Sequence, residues 1–182
     1  AKMKNSNWTK PKKFDRNMIV IGAGAGGLVT SYIAAAVKAK VTLIEAGEMG
    51  GDCLNYGCVP SKAIIKSAKM ANSIENSHHY GLDNFTPQFS FKKVMQRVHD
   101  IIAEVAPHDS VERYTNLGVE VQKGYGKLLD PWTVEIAYDD GTTTTLTARS
   151  IVIATGARPF VPPLPGIEDT GYVTSDTLWS EF

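Results

Sequence analysis

Met18-Ile19-Val20-Ile21-Gly22-Ala23-Gly24-Ala25-Gly26-Gly27 is the stretch that decides the fold. Its leading apolar residues predict a short buried strand. Gly22, Gly24 and Gly27 then satisfy the pattern G-x-G-x-x-G, in which glycines allow a tight turn, close backbone approach to a pyrophosphate and close packing of a helix on the strand. The N-terminus of that helix would offer unpaired N–H groups to phosphates. A glycine-rich structural turn satisfies the same pattern, so the surrounding residues must decide.

The residues that follow favour the nucleotide interpretation. Residues 28–38 are rich in alanine and predict a helix packed closely on a sheet, and Val41–Glu45 predicts a second strand. Such strand–helix–strand units are right-handed and join parallel strands. Glu45 ends the second strand 18 residues after Gly27, where a carboxylate can hydrogen-bond a ribose diol. The unit therefore predicts a dinucleotide site, without separating FAD from NAD.

The middle of the chain predicts helices. Apolar residues recur there at three- and four-residue steps, which is typical of an amphipathic helix, and a proline in a first helical turn is well tolerated. We expect a glycine-rich loop at 47–57, a helix from about Cys58 to about Asn76, a polar loop at 78–88, and a long helix at 91–105 that Pro107 interrupts before 111–117.

The last third of the chain predicts strands and then an extended connector. Short strands with turn signals between them are typical of an antiparallel meander, and a continuous apolar run is typical of a buried parallel strand. The expected fold is a three-layer, Rossmann-like α/β domain, with a parallel sheet, helices on one side and the meander on the other. The meander strands are expected at 119–121, 125–129, 134–137 and 143–147, the parallel strand at 151–154, and the proline-rich connector after it.

Composition excludes several classes of protein. Lys and Arg total 19 and Asp and Glu total 19, so no global field favours nucleic acid or an acidic membrane. Residues 1–16 hold six basic side chains against the single acid Asp15, which predicts a solvated tail or linker and leaves a basic arm for membrane or nucleic acid as the alternative. No apolar run approaches the roughly 20 residues that span a bilayer. With only two cysteines, a cytoplasmic location is the expectation.

The two cysteines form a candidate redox pair. Cys53 and Cys58 enclose four residues, and Gly57 would allow the loop to turn into the following helix and bring the sulfurs together. A thiol at a helix N-terminus is a candidate low-pKa thiolate, so the pair could cycle between dithiol and disulfide. The alternatives are two inert buried thiols or a zinc site. Zinc needs about four ligands, and the histidines are distant and unpaired in spacing, so no metal site is predicted: His78, His79, His99 and His108.

Lys62 follows Cys58 by one helical turn. If the segment is helical, its ammonium could approach whatever Cys58 faces. A solvated lysine is the simpler interpretation when the residue is taken by itself.

Together, four segments resemble the class I pyridine nucleotide–disulfide oxidoreductases, a family that includes dihydrolipoamide dehydrogenase, glutathione reductase and mercuric reductase. The resemblance runs in register from about Asn17 to Phe182. The segments are Gly-Ala-Gly-Ala-Gly-Gly at 22–27, Glu45, Gly-Gly-Asp-Cys-Leu-Asn-Tyr-Gly-Cys-Val-Pro-Ser-Lys at 50–62, and Ala-Thr-Gly at 154–156.

The resemblance implies FAD as the cofactor and NAD or NADP as the co-substrate. It implies that Cys53 is the thiol that exchanges with substrate, that Cys58 faces the flavin in a charge-transfer complex, and that Lys62 lies near the flavin. Glu45 would bind the adenosine ribose and Gly126 the adenine end. The implied FAD-binding residues are Gly22, Gly24, Gly26, Gly27, Glu45, Gly51, Asp52, Lys62, Gly126, Ala154, Thr155 and Gly156.

Asp52 departs from the family pattern, since many members carry threonine beside the exchanging cysteine. Unless it is hydrogen-bonded elsewhere, a carboxylate there is expected to raise the pKa of Cys53 or to repel phosphate. The Pro-Ser-Lys at 60–62 leans slightly toward the lipoamide and mercuric branches. The substrate class implied is therefore a small-molecule disulfide, a dithiol or a metal ion.

The resemblance also predicts the domain organisation. We expect a basic tail at 1–16, a partial FAD-binding domain with the redox pair at 17–157, and a connector at 158–182 toward an NAD(P)-binding domain. That domain, a second FAD segment and a dimerisation domain would lie beyond Phe182, so the chain by itself is expected to be inactive and the whole enzyme a homodimer. The alternatives are a non-catalytic dinucleotide-binding module and the NAD site of a plain dehydrogenase, which leaves the cysteine motif unexplained.

Overall fold

The structure is a computed structural model that describes residues 8–83 and 85–180. The described chain forms two compact units. The first, here called the sheet unit, runs through residue 51 and resumes at 109–156. The second, here called the hairpin unit, comprises 52–108 together with the segment that begins at Ala157. Lys2 and Lys4 of the predicted basic tail lie outside the described residues.

The sheet unit contains one six-stranded mixed sheet in the order β3-β2-β1-β6-β5-β4. The neighbours β3, β2, β1 and β6 pair in parallel, and β6, β5 and β4 pair antiparallel. Two helices belong to this unit. The elements are β1 (Arg16–Ile21), α1 (Ala25–Ala36), β2 (Val41–Glu45), β3 (Val119–Lys123), β4 (Tyr125–Asp130), β5 (Thr133–Ala137) and β6 (Thr143–Ile153), with the second helix, Val111–Asn116, lying before β3.

Both faces of this sheet are covered, which explains why successive residues of β1 and β2 are buried. On one face, Val20 and Leu43 pack with Leu28 of α1 and with Tyr114 of helix Val111–Asn116. On the other face, apolar strand residues pack with the inner side of the antiparallel strands. The three-layer α/β fold is therefore confirmed. The second cluster consists of Ile19, Ile21, Ile44, Val134, Ile136 and Ala148.

Helix α1 begins three residues and ends two residues earlier than the alanine-rich stretch at 28–38 predicts. Gly24 is its N-cap, with an extended backbone, and Val37 is its C-cap. Lys38 follows with φ of 66°, the left-handed conformation that stops a helix. Gly26 and Gly27 therefore lie in the first turn of α1, because the helix begins directly after Gly24.

Two predictions about the strands are wrong. Residues 119–121 were expected in the antiparallel meander, but β3 pairs in parallel with β2, Val41 opposite Val119. Residues 143–147 and 151–154 were expected as separate strands, but β6 is continuous: its first half pairs antiparallel with β5 and its second half in parallel with β1. Alternation of apolar residues is the same in both strand directions, so only tertiary pairing distinguishes them.

The hairpin unit is built around two helices that pack against each other. These are α3 (Cys58–Glu75) and α4 (Phe91–Val105), and both predictions of these helices are confirmed. The Arg97 guanidinium donates to the Ala63 carbonyl at 2.9 Å and so joins the two helices. A short helix, α2 (Gly51–Asn55), occupies the predicted glycine-rich loop, and a 3-10 turn at Ala106–Asp109 follows α4 at Pro107.

The buried core of the hairpin unit combines Ala63 of α3, Met95 and Val98 of α4, and Trp179 from the chain's C-terminal part. The proline-rich segment that leads to Trp179 is largely without regular structure, and it includes 3-10 turns at Ile167–Thr170 and Leu178–Ser180. Within the described residues, no helix is both long enough and apolar enough to cross a membrane.

Candidate nucleotide cradle and redox pair

The turn after β1 needs glycine for steric reasons. Gly22 has φ of 105°, and a Cβ on it would lie 2.2 Å from the carbonyl oxygen of Ala154. A Cβ on Gly27 would lie 1.8 Å from the carbonyl oxygen of Gly22. Real Cβ atoms do not approach this closely, so Gly22 and Gly27 are fixed by packing inside the unit. They correspond to the tight turn and the helix–strand contact of the fingerprint.

The opposite side of the same loop is open. A Cβ on Gly26 would have nothing within 4 Å, and one on Gly24 would meet only the Cα of Gly51, at 3.9 Å. No side chain caps α1 at Gly24, and its first turn carries no acidic residue. The N-terminal backbone of α1 is thus accessible, and no acidic side chain of its own first turn competes for it, which fits a pyrophosphate.

A second glycine pair supports this loop. The Gly50 amide donates to the carbonyl of Ala23 at 2.9 Å, and Gly24 and Gly50 form a parallel bridge. Gly51 has φ of 57°, and a Cβ there would lie 2.7 Å from the Cα of Gly24. The Gly-Gly that precedes the cysteine motif is therefore required by the close approach of two backbone segments.

Glu45 lies at the carboxyl end of β2, beside the fingerprint loop. Its Oε2 accepts a hydrogen bond from the Ala23 amide at 2.5 Å, and its Oε1 accepts one from the Gly47 amide at 2.6 Å. Each carboxylate oxygen has further acceptor capacity, because an ionised carboxylate offers about four lone-pair sites. The carboxylate is thus oriented by the backbone and can still accept from a ribose hydroxyl.

Lys123 is a residue of this region that the sequence did not single out. Its ammonium donates to the carbonyl of Gly47, the residue whose amide holds Glu45. The Gly124 amide donates to the Glu45 carbonyl at 2.9 Å. Lys123 lies at the end of β3, opposite Glu45 in the neighbouring parallel strand β2. The sequence did not indicate this position, because its pattern predicts an antiparallel meander strand at 119–121.

Gly126 and the Ala-Thr-Gly segment lie at the same edge of the sheet. A Cβ on Gly126 would lie 3.1 Å from Cγ2 of Ile21, so a side chain there would press on the end of β1. The Ala154 amide donates to the Ile21 carbonyl at 2.8 Å, and Gly156 has φ of 70°. Thr155 lies between them, its amide nitrogen 3.1 Å from a Cβ built on Gly22. Carboxyl ends of parallel strands are where dinucleotides bind in such sheets.

The hairpin unit brings the two cysteines together. Cys53 lies in α2, and Cys58 is the first residue of α3, as the sequence predicted. Both are free thiols, Cys53 half-buried and Cys58 exposed. The hydrogen bond with the Cys58 thiol, followed by burial, raises the pKa of Cys53, and the positive charge of Lys62 acts in the opposite direction. None of these causes involves Asp52, whose carboxylate was expected to raise that pKa.

The loop between the cysteines is tightly wound. The Tyr56 amide donates to the carbonyl of Asp52 at 2.9 Å, and a Cβ on Gly57 would lie 2.9 Å from the same oxygen. The side chain of Asp52 is exposed in the first turn of α2. Gly57 therefore permits the turn that carries the chain from one cysteine to the other.

Trp179 is the second residue that the sequence did not single out. Its indole Nε1 donates to the carbonyl of Tyr56 at 2.8 Å, across 123 positions of sequence. A tryptophan near a chain end carries no pattern that would predict this partner.

The histidines do not add a metal centre to the described part of the chain. His78 and His79 are exposed, with ring centroids 4.0 Å apart. Among residues 8–83 and 85–180, no three His, Cys, Asp or Glu side chains cluster closely enough to hold a metal ion.

Comparison with solved structures gives a fold match to the Cu(II) complex of a HOCl-induced flavoprotein disulfide reductase from Escherichia coli. The TM-score is 0.74 at 22% sequence identity, covering 92% of this chain and 35% of that one. At this identity the match supports the fold alone.

Several characterised proteins are similar in sequence. Mercuric reductase from Shewanella putrefaciens is 36% identical over 88% of this chain and 29% of its own length. Dihydrolipoyl dehydrogenase from Zymomonas mobilis is 35% identical over 85% of this chain and 33% of its own length. Mercuric reductase from Bacillus cereus is 31% identical over 91% of this chain and 25% of its own length. The chain thus spans about a quarter to a third of these relatives.

The family described as pyridine nucleotide-disulphide oxidoreductase matches residues 16–180. Its members are FAD-dependent and use NAD(P)H as co-substrate. The match includes the glycine turn after β1, Glu45 and both cysteines. On this match, the chain belongs to the pyridine nucleotide-disulphide oxidoreductase family.

Proposed function

We propose that this chain is the FAD-binding, redox-disulfide portion of a flavoprotein oxidoreductase. The observation that carries the proposal is the hydrogen-bonded pair of free thiols, Cys53 and Cys58, with the second at the N-terminus of α3. Bound FAD would supply two-electron transfer between NAD(P)H and this pair. The Cys53–Cys58 disulfide takes up two electrons and two protons to become the dithiol. The dithiol then passes both electrons and both protons to a disulfide substrate, or passes the two electrons to a metal ion and releases the two protons to solvent. With a dithiol substrate the reactions run in reverse.

The cradle of the sheet unit supports FAD as the ligand. The accessible backbone at Gly24 and Gly26 suits the pyrophosphate, and the Glu45 carboxylate, oriented by two amides, suits the adenosine ribose. Gly22 and Gly27 keep the loop in shape. We assign further FAD contacts to the backbone of Gly51, Asp52, Gly126, Ala154, Thr155 and Gly156 and to the side chain of Lys62.

The two thiols have different roles in this proposal. Cys53 exchanges with substrate, and Cys58 faces the flavin. The thiolate is the reactive form of a cysteine, and the hydrogen bond with the neighbouring Cys58 thiol raises the pKa of Cys53 and so favours its protonated form. Lys62 opposes that rise. Its ammonium therefore favours the thiolate that thiol–disulfide exchange requires.

The organisation of the whole protein belongs to the same proposal. Residues 17–157 form part of the FAD-binding domain, 1–16 a tail and 158–182 a connector toward an NAD(P)-binding domain. The working enzyme is a cytoplasmic homodimer that acts on a small-molecule disulfide, a dithiol or a metal ion. The metal-ion and dithiol substrate classes are suggested by the mercuric reductases and the dihydrolipoyl dehydrogenase among the relatives, of which the chain spans a quarter to a third.

An anaerobic dithionite titration of the FAD-loaded protein tests the thiol roles. At two electrons, a long-wavelength absorption band from the Cys58 thiolate and oxidised flavin is expected. C58S should lack the band at every stage. C53S should show it before any reductant is added, because no disulfide can form. Bound flavin without a band in the unmodified protein and in C53S would exclude the role of Cys58.

C53S also separates catalysis from binding. In the whole enzyme that contains this chain, the variant should lose turnover of NAD(P)H with a disulfide substrate and keep its FAD affinity. Unchanged turnover would favour a site elsewhere in the protein. A colourless purified protein that takes up NAD and no FAD would instead indicate the nicotinamide site of a plain dehydrogenase.

A further inference from the structure

Trp179, in the C-terminal part of the hairpin unit, is hydrogen-bonded to the loop between the two cysteines. The indole of Trp179 donates to the Tyr56 carbonyl at 2.8 Å, and Tyr56 lies between Cys53 and Cys58 in the chain. The indole has one donor and no acceptor, so this bond uses its whole polar capacity.

The position of that indole is fixed by burial. Trp179 is only 6% exposed and packs with Ala63, Met95 and Val98 of the helical core. The turn that carries it is itself hydrogen-bonded: the Leu178 amide donates to the Thr174 carbonyl at 2.9 Å. A buried aromatic ring with a satisfied N–H is a rigid donor. The loop carbonyl therefore meets a donor that does not move with the loop.

The Tyr56 residue is held on both sides. Its amide donates to the Asp52 carbonyl at 2.9 Å, and its own carbonyl accepts from Trp179. That carbonyl belongs to the peptide bond that leads into Gly57, whose backbone angles, φ −123° and ψ −103°, direct the chain into Cys58. This peptide therefore lies where the loop turns from Tyr56 into Cys58.

We propose that Trp179 is a positioning residue for the redox pair: its hydrogen bond to Tyr56 holds the intervening loop in the geometry that brings the two sulfurs together. The proposal rests on the proposed function, in which these thiols form a disulfide. It predicts that the bond raises the effective concentration of one thiol at the other. Without it, the loop would sample conformations with the sulfurs apart, and the disulfide would form less readily.

The test is a redox equilibrium with dithiothreitol. The two thiols and oxidised dithiothreitol react to the Cys53–Cys58 disulfide and reduced dithiothreitol, with two electrons and two protons transferred. The equilibrium constant should fall by roughly 2- to 10-fold in W179F, the range expected for one net hydrogen bond. W132F is the matched control, because Trp132 lies in the sheet unit and should leave the constant unchanged.

Two readouts separate positioning from general loss of structure. The far-UV circular dichroism and thermal midpoint of reduced W179F are measured beside the equilibrium constant. If W179F does not fold, replacement of Trp179 by benzothienylalanine, which keeps the indole shape and lacks the N–H, is measured instead. A folded variant with the constant of the unmodified chain would overturn the role of Trp179, as would an equal fall in W132F. If the unmodified chain forms no disulfide at any dithiothreitol ratio, the proposed redox function fails instead.

Discussion

The cradle in the sheet unit and the redox loop in the hairpin unit are both built around glycines, but they are held in different ways. In the cradle, the neighbours of Gly22, Gly27 and Gly51 are backbone atoms that a Cβ would approach to between 1.8 and 2.7 Å. In the redox loop, one glycine allows the turn, and a side chain distant in sequence, Trp179, fixes the carbonyl before it.

This difference shows that the two regions depend on different kinds of contact. Backbone atoms leave no room for a side chain at Gly22, Gly27 and Gly51, so these three positions of the cradle require glycine. The redox loop depends on packing between helices and on single hydrogen bonds, which many residues can supply. Substitution of these cradle glycines should therefore destabilise the fold strongly through steric clash. Loss of one hydrogen bond in the redox loop should have a smaller effect.

The largest effect is expected from Gly27→Ala. Its Cβ would lie 1.8 Å from the Gly22 carbonyl oxygen, so either α1 or the turn must move, at a cost of about 3 kcal/mol or more in the free energy of unfolding. Urea unfolding followed by circular dichroism measures the loss. Gly26→Ala is the matched control in the same helix: with nothing within 4 Å of its Cβ, it should gain up to about 1 kcal/mol. Similar stability of the two variants would contradict steric control of the turn.

The next effect compares two buried hydroxyls of the sheet unit. Thr42 is fully buried and accepts from Arg16 Nε at 2.6 Å, so Thr42→Val should cost about 1–3 kcal/mol of unfolding free energy. Ser31 of α1 is also fully buried, and among the described residues its Oγ has no hydrogen-bond partner. Ser31→Ala should therefore stabilise the fold by about 0.5 kcal/mol, since alanine is also the better helix former. Chemical denaturation of both variants gives the difference, and destabilisation by Ser31→Ala would reveal a partner for that hydroxyl.

A third effect concerns the chemistry of the redox loop. Cys58→Ala removes the first cause that raises the pKa of Cys53, so that pKa should fall, and Cys53 should be alkylated by iodoacetamide at lower pH. Lys62→Met removes the opposing positive charge and should raise the pKa further, whereas Lys62→Arg should not. The pH dependence of the alkylation rate, with the site identified by mass spectrometry, measures each shift. A fall of the pKa in Lys62→Met would contradict the sign assigned to the ammonium.

The smallest effect is expected at the margin of the sheet unit. Asp15 accepts hydrogen bonds from the amide and hydroxyl of Thr147, and these lower its pKa below the ordinary value of 3.8. Its contribution to stability is present above that value and is lost as pH falls through the lowered pKa of the folded state. Asp15→Asn should therefore lose less stability between pH 4 and pH 2 than the unmodified chain. Thermal unfolding across that range tests it, with Asp139→Asn as the charge control.

Much of the fold followed from local patterns. The bounds of α3 and α4 and of β2 agree with their predictions, because each is a long periodic or continuous apolar run. The direction of β3 and the continuity of β6 did not follow, because strand pairing joins segments far apart in the chain, such as Val41 with Val119. Lys123 was missed for the same reason: its role depends on β3 lying next to β2.

The sequence by itself determined the family, the glycine turn and the identity of the paired cysteines, because these depend on residues within a few positions of one another. Tertiary structure alone decided that the Glu45 carboxylate is oriented by two backbone amides and that the Tyr56 carbonyl accepts from Trp179. The physical reason is that a hydrogen bond between distant segments needs only a suitable donor at the right place. Such a donor leaves no periodicity or spacing in the chain, and it becomes visible only when packing brings the two segments together.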